Sequence, residues 1–159
     1  MIRQAQLKDL ARIMEIERAG FTETEAASEA SMKERIEKIA DTFFVVEEAG
    51  EVRAFCVGNV MPQRYITDDL FETLSANTRT GGHQSILSIA VHPDDRGRGY
   101  GTQLLNAMEA VARQAQRETV TLTCKAPLIS YYEAHGYMNE GASTSTHGGE
   151  SWFNLVKPL

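Results

Sequence analysis

The segment Arg96-Gly97-Arg98-Gly99-Tyr100-Gly101-Thr102 packs three glycines and two arginines into seven residues, directly ahead of an amphipathic helical pattern. That arrangement has a chemical use. The start of a helix presents backbone N–H groups without intrahelical partners and the positive end of the helix dipole. Glycines let a ligand approach the backbone with no Cβ in the way, and arginines add positive charge. Such a turn suits a phosphate or pyrophosphate. Two familiar phosphate patterns fit it poorly. No Gly-Lys-Ser/Thr sequence is present, and the third glycine of the dinucleotide fingerprint would fall at Thr102. A turn that binds nothing is the alternative, but the long apolar run before it weighs toward a ligand.

The other reactive side chains are few. Tyr131 and Tyr132 are adjacent on a short helical pattern, where a phenol either packs or donates a proton. Of the four histidines, His92 precedes Pro93 and belongs to the turn, His135 closes a helix, and His147 is expected exposed in a loop. His83 follows Gly81-Gly82 at a strand entrance. It either faces solvent or serves as a base, since imidazole titrates near neutrality. Cys56 and Cys124 sit in apolar strand-like runs and read as small buried hydrophobes, neither disulfide nor metal ligands.

These residues need elements to place them. Met1–Gln4 opens as a strand. Lys8–Ala19 and Ser31–Ala40 carry apolar residues at helical spacing, with a polar loop at Thr22–Ala30 between them. Phe43–Glu47 and Val52–Val60 form a hairpin around Ala49-Gly50. Pro62–Thr80 is a long connection with a short helix predicted at Asp68–Ser75, and long connections are often functional. Gln84–Val91 is the strongest strand pattern. Helix Gly99–Gln114 follows, with Leu104, Leu105, Met108 and Val111 on one face, then strand Thr119–Cys124 and helix Pro127–His135. Tyr137–Ser143 and Trp152–Val156 close the chain as a hairpin. The order implies one α/β domain over residues 1–159, with a mixed sheet flanked by helices and a parallel pair around the Gly99 helix.

The stretch Ile89-Ala-Val-His-Pro-Asp-Asp-Arg-Gly-Arg-Gly-Tyr-Gly-Thr-Gln-Leu-Leu105 resembles the signature of the GNAT superfamily of N-acetyltransferases, whose Arg/Gln-x-x-Gly-x-Gly/Ala element matches Arg96, Gly99 and Gly101. A second stretch, Leu128-Ile-Ser-Tyr-Tyr-Glu-Ala-His-Gly-Tyr137, resembles the family's downstream helix. Cys124 to Glu133, Glu17 to Thr24 and Ile66 to Phe71 are similar to the arylalkylamine (serotonin) N-acetyltransferases. The resemblance implies a mostly antiparallel mixed sheet and acetyl-CoA as cosubstrate, with no metal. It places the CoA pyrophosphate on the backbone of Gly97 through Thr102, and the pantetheine arm along Ile89, Ala90 and Val91. Tyr132 takes the position of the general acid, and backbone N–H groups near Leu87–Ala90 polarise the thioester carbonyl.

One departure stands out. The His-x-His pair of the serotonin enzymes falls on Ser85 and Leu87, and neither replaces an imidazole. His83 has the parity of Ser85 along the strand, which makes His83, with Ser85 beside it, the candidate for the base side. Glu23, Glu25, Asp68, Asp69 and Glu72 lie in segments that line the acceptor side in the relatives, where they would attract a cationic amine or else face solvent.

The 159 residues carry a net charge of −6, with 42% hydrophobic and 24% charged residues. That balance argues against a nucleic-acid binder. No run reaches the roughly 18–20 apolar residues of a membrane span, and no leader pattern is visible, so a cytoplasmic setting is expected. The leading function is acetyl transfer to a small primary amine. A non-catalytic acyl-CoA-binding module and a protein or peptide N-acetyltransferase remain the alternatives, and the superfamily allows a homodimer.

Overall fold

The computed structural model describes residues 1–71 and 74–159. Among the described residues, nine strands and four α-helices follow in the order β1 (Ile2–Gln4), α1 (Leu10–Gly20), α2 (Glu29–Lys38), β2 (Phe43–Glu48), β3 (Glu51–Val57), β4 (Val60–Met61), β5 (His83–Ile86), β6 (Ser88–Val91), α3 (Tyr100–Gln114), β7 (Thr119–Cys124), α4 (Ile129–Glu133), β8 (Met138–Ala142) and β9 (Phe153–Pro158). Single turns of 3-10 helix join several of them, among them Asp68–Phe71 in the connection for which a helix over Asp68–Ser75 was expected.

Alternation along β2 and β3 builds two cores on opposite faces of one sheet. Val46, Ala54 and Cys56 meet Leu104, Leu105, Met108 and Ala112 of α3. Phe43, Val45, Val52, Phe55 and Val57 meet Ile13, Met14 and Ile16 of α1 with Met32 and Ile36 of α2. The α3 side chains are at most 3% exposed, and burying each of the larger ones stabilises the fold by about 1.5–3 kcal/mol. Ser28 caps α2 by accepting the Ser31 N–H at 3.1 Å, so that helix starts two residues earlier than the apolar pattern implies.

The strands form two sheets, β1-β2-β3-β6 and β4-β5-β7-β9-β8. Pairing is antiparallel throughout except β5 with β7, the expected parallel pair. Two runs that read as single strands are each cut in two. Gln84–Val91 breaks at Leu87 into β5 and β6, and Val52–Val60 breaks at Gly58-Asn59 into β3 and β4. Both breaks occur where the chain crosses from one sheet to the other. The crossing is tight: a Cβ built on Gly58 would lie 1.7 Å from the carbonyl oxygen of Ser85. Only a glycine allows the backbones that close.

Candidate active site

The glycine turn adopts the conformation its composition demands. Gly97 and Gly99 both have φ of 82°, in the left-handed region, where a Cβ costs about 1–2 kcal/mol. Gly99 is the N-cap of α3, and its carbonyl accepts the first intrahelical bond, from Gln103 at 3.1 Å. The N–H groups from Gly99 to Thr102 therefore precede the helical ladder and point outward. Residues 96 to 99 are exposed. The turn is pinned from below by Asp95, 2% exposed, with Arg53 and Arg98 each at 3.5 Å. Gly99→Ala is expected to strain this cap and cost about 1–2 kcal/mol of stability; denaturant unfolding checks it.

The strand entering the turn has one open edge. Ser88 opposes Val57 in the β3–β6 ladder, yet the Leu87 N–H also donates to the Val57 carbonyl (2.8 Å). Two residues against one is a β-bulge. Before it, Ser85 N–H bonds Asn59 (2.9 Å) and β5 runs alongside β7; after it, β6 follows β3 and leaves β7 behind. Backbone groups alternate sides along an antiparallel strand. Since His92 N–H is bonded to Arg53 (2.8 Å), the N–H and C=O groups of Ile89 and Val91 face away from β3, into the gap.

That gap widens into a cavity of about 740 Å³. Leu87, Ser88 and Ile89 form one wall, Leu122 to Lys125 another, and Pro127, Leu128 and Tyr132 a third. Glu17, Phe21, Ala27 and Arg35 of the α1–α2 region close it, with His147 and Trp152 from the β8–β9 loop. The cavity is charged as well as apolar. Glu17 is 3% exposed; its Oε1 accepts the Ser88 hydroxyl at 2.5 Å and its Oε2 the Ala27 N–H at 2.8 Å. Burial pushes its carboxyl above the ordinary range, opposed only in part by those hydrogen bonds and by the charge of Arg35. Glu25 forms an ion pair with Lys125, Oε2 to Nζ 2.7 Å. Burial works to raise the Glu25 carboxyl, and Lys125 with Thr22 outweighs it, leaving it below its usual range.

A model of the acetyltransferase (GNAT) family matches residues 10–137. The chain belongs to that family. Among curated GNAT relatives, it is similar to two proteins described as uncharacterized N-acetyltransferase ycf52. The one from Porphyra purpurea is 29% identical over 65 residues and the one from Pyropia yezoensis 28% over 65 residues, each match spanning 41% of this chain and 37% of the relative. The match thus spans little more than a third of those relatives' length. The GNAT fold is shared more widely. A GNAT-like decarboxylase, GphF, solved with isobutyryl-CoA, superposes with a TM-score of 0.85 at 15% identity over 99% of this chain and 98% of that one. Ard1 from Thermoplasma volcanium superposes at 0.76 with 20% identity, over 100% and 97%. The ribosomal-protein-S18-alanine N-acetyltransferase of Escherichia coli does so at 0.73 with 18% identity, over 100% and 93%.

The structure brings together only part of the residue set expected from the sequence. Ile89 and Tyr132 line the cavity, and Ala90 and Val91 continue that edge toward the turn that holds Arg96 to Thr102. Tyr131 lies outside the cavity, its phenol against Gly101, where a Cβ would meet it at 2.6 Å. His83 and Ser85 are placed elsewhere. His83 is buried rather than exposed, its Nδ1 2.8 Å from Thr119 Oγ1 and its Nε2 3.4 Å from Glu118. Ser85 donates to the Asn59 carbonyl (2.8 Å) at the sheet crossing. Neither lines the cavity, because parity along Gln84–Val91 is interrupted at the Leu87 bulge. Of the acidic group, Glu25 and Asp68 reach the cavity wall, but Glu25 is paired with Lys125, and Asp68 accepts from Ser145 and Thr146. Glu23 borders a separate surface hollow, Asp69 accepts from Thr67, and Glu72 lies outside the described residues. His147, expected exposed, is half-buried in the wall with Nε2 2.7 Å from the Glu25 carbonyl. Cys56 and Cys124 are free and buried; burial pushes the Cys124 thiol up to about 11. Among the described residues no group of three or more His, Cys, Asp or Glu is placed to hold a metal ion, and no helix is long and apolar enough to cross a membrane.

Glu17 and Arg35 are among the cavity residues that sequence reasoning passed over. Each is a charged residue in an amphipathic helix, and that pattern does not separate a charge facing a cavity from one facing water.

Proposed function

We propose that this GNAT protein transfers an acetyl group from acetyl-CoA to the primary amine of a small molecule, by direct attack of the amine on the thioester. The observation that carries this reading is the wedge between β6 and β7. A strand edge with unpaired amides runs from the glycine turn to a cavity walled by Tyr132 and Glu17. In this reading the N–H groups from Gly97 to Thr102 receive the pyrophosphate, with Arg96 and Arg98 adding charge. The edge at Ile89, Ala90 and Val91 pairs with the amide-bearing pantetheine arm. The Ile89 N–H, beside the bulge, stabilises negative charge on the thioester oxygen.

As the amine nitrogen bonds to the carbonyl carbon and the C–S bond breaks, the thiolate takes the Tyr132 phenol proton. Burial pushes that phenol above its ordinary value, so it is protonated at neutral pH and available as a donor. The proton lost by the amine goes to Glu17, whose bonded oxygens each keep a further lone pair.

The test is CoA release over a panel of arylalkylamines, polyamines, amino acids and short peptides. Release that requires both acetyl-CoA and a small amine is the expected result. Tight acetyl-CoA binding with no turnover on any of them would indicate an acyl-CoA-binding module, and turnover confined to peptides a protein acetyltransferase.

A pH profile tests the base. Burial raises the Glu17 carboxyl, so its basic form is lost as pH falls through a value above the ordinary carboxylate range. Turnover is expected to drop over that acid limb. Glu17→Gln is expected to abolish the limb and lower kcat roughly 10²-fold. An acid limb that persists unchanged in the variant removes Glu17 from this role.

A further inference from the structure

Arg35 has no function in the scheme above, yet it is a buried charge in the cavity wall. It is 1% exposed, and neither terminal nitrogen of its guanidinium has a hydrogen-bond partner among the described residues. None of the ion pairs formed by the described residues includes it. A guanidinium is charged at every accessible pH and carries five donors in a rigid fork. Natural interiors almost never leave such a group unmatched.

The acids nearby do not match it. Glu17 acts on Arg35 only through space: its oxygens accept from Ser88 and Ala27, and neither is hydrogen-bonded to the fork. Glu34, on the same helix, is bonded to Lys38 at 3.1 Å. Glu25 is held by Lys125, and Asp68 by Ser145 and Thr146. The cavity thus pairs or bonds its other charges internally and leaves one fork open.

We propose that Arg35 receives a carboxylate on the molecule undergoing transfer, carried either by the acceptor, making it an amino-acid-like amine, or by the acyl group of the donor. The proposal rests on reading the cavity as the site of acyl transfer. A carboxylate offers two oxygens in the plane of the fork, which a plain amine or an acetyl group lacks. Discrimination of this kind is strong, because a ligand without the carboxylate leaves the buried donors unpaired.

Binding rather than turnover tests it, so that an inactive protein still gives an answer. Calorimetry on the CoA-loaded protein compares N-acetylphenylalanine with N-acetylphenethylamine, which differ by the carboxylate. Calorimetry on the free protein compares succinyl-CoA with acetyl-CoA. The carboxylate-bearing member of one pair is expected to bind at least about ten-fold tighter. Arg35→Gln should remove that preference, and Arg35→Lys should keep part of it. A preference in the first pair assigns the carboxylate to the acceptor, and in the second to the acyl group. No preference in either pair, or one that survives Arg35→Gln, overturns the proposal. If the Gln variant does not fold, a wild-type protein without preference overturns it equally. An Arg35-dependent preference with no turnover on any amine would sink the proposed transferase function and leave Arg35 as a carboxylate-binding residue only.

Discussion

Gly58→Ala is expected to cost about 3 kcal/mol or more of stability, the top of the range for overpacking a tight contact. The reason is steric and local. An alanine Cβ would sit 1.7 Å from Ser85 O, 2.4 Å from its carbonyl carbon and 2.9 Å from Ile86 Cα. All three are backbone atoms, so no side-chain rotation relieves the clash. The strands must part, and the bonds across the crossing go with them. These are Ser85 N–H to Asn59 (2.9 Å), Leu87 N–H to Val57 (2.8 Å), and the Gln84 (3.0 Å) and Thr42 (2.5 Å) side chains to the Gly58 carbonyl. Denaturant unfolding should show the loss, with Tm lower by roughly 6–12 °C for a chain of this size. Gly50→Ala is the control, because its Cβ would meet nothing within 4 Å and only a φ of 80° resists it; about 1–2 kcal/mol is expected there. A Gly58→Ala loss below about 1 kcal/mol would mean that the two strands do not approach as described.

Tyr132→Phe is expected to lower kcat about 10²- to 10³-fold while acetyl-CoA binding changes little. Loss of a positioned proton donor has effects of that size. The variant removes one oxygen and keeps the ring, which packs edge-on against Tyr131 at 5.1 Å and Tyr137 at 5.8 Å between centroids. Stability should therefore hold within about 1 kcal/mol. Tyr131→Phe supplies the contrast. That phenol lies over Gly101 outside the cavity, and its loss should leave kcat within about three-fold, as a side chain that only packs would. Single-turnover kinetics separate chemistry from product release. Full turnover in Tyr132→Phe excludes it as the acid.

What was legible in the sequence follows from where the determinants lie. The α3 helix announces itself through Leu104, Leu105 and Met108 at helical spacing, and the turn before it through glycines whose left-handed φ values no other residue adopts cheaply. Both are local properties. The split of Gln84–Val91 is not. It depends on Gly58, some thirty residues away in sequence, admitting the Ser85 carbonyl, and on β6 following β3 rather than β7. His83 and Ser85 share the unbroken β5, but the bulge at Leu87 cuts both off from the cavity-lining residues that follow, since parity transmits a facing direction only along an unbroken strand. Glu17 and Arg35 were missed for a related reason. Helical spacing marks the apolar face, but a cavity framed by Ser88, Ala27 and the β8–β9 loop is assembled from segments far apart in the chain.

The unpaired amides of Ile89 and Val91 carry one more implication, for behaviour in a crowded solution. A bare strand edge is normally a template for sticking to another copy, and proteins blunt it with lysines, prolines or distortion. Here the edge is set back in a cleft, with α1 and Phe21 on one side and Pro127, Leu128 and Tyr132 on the other. A second sheet is too broad to enter, whereas a thin flexible chain bearing amides is not. The recess thus favours a slender, amide-bearing chain over a second sheet at this edge.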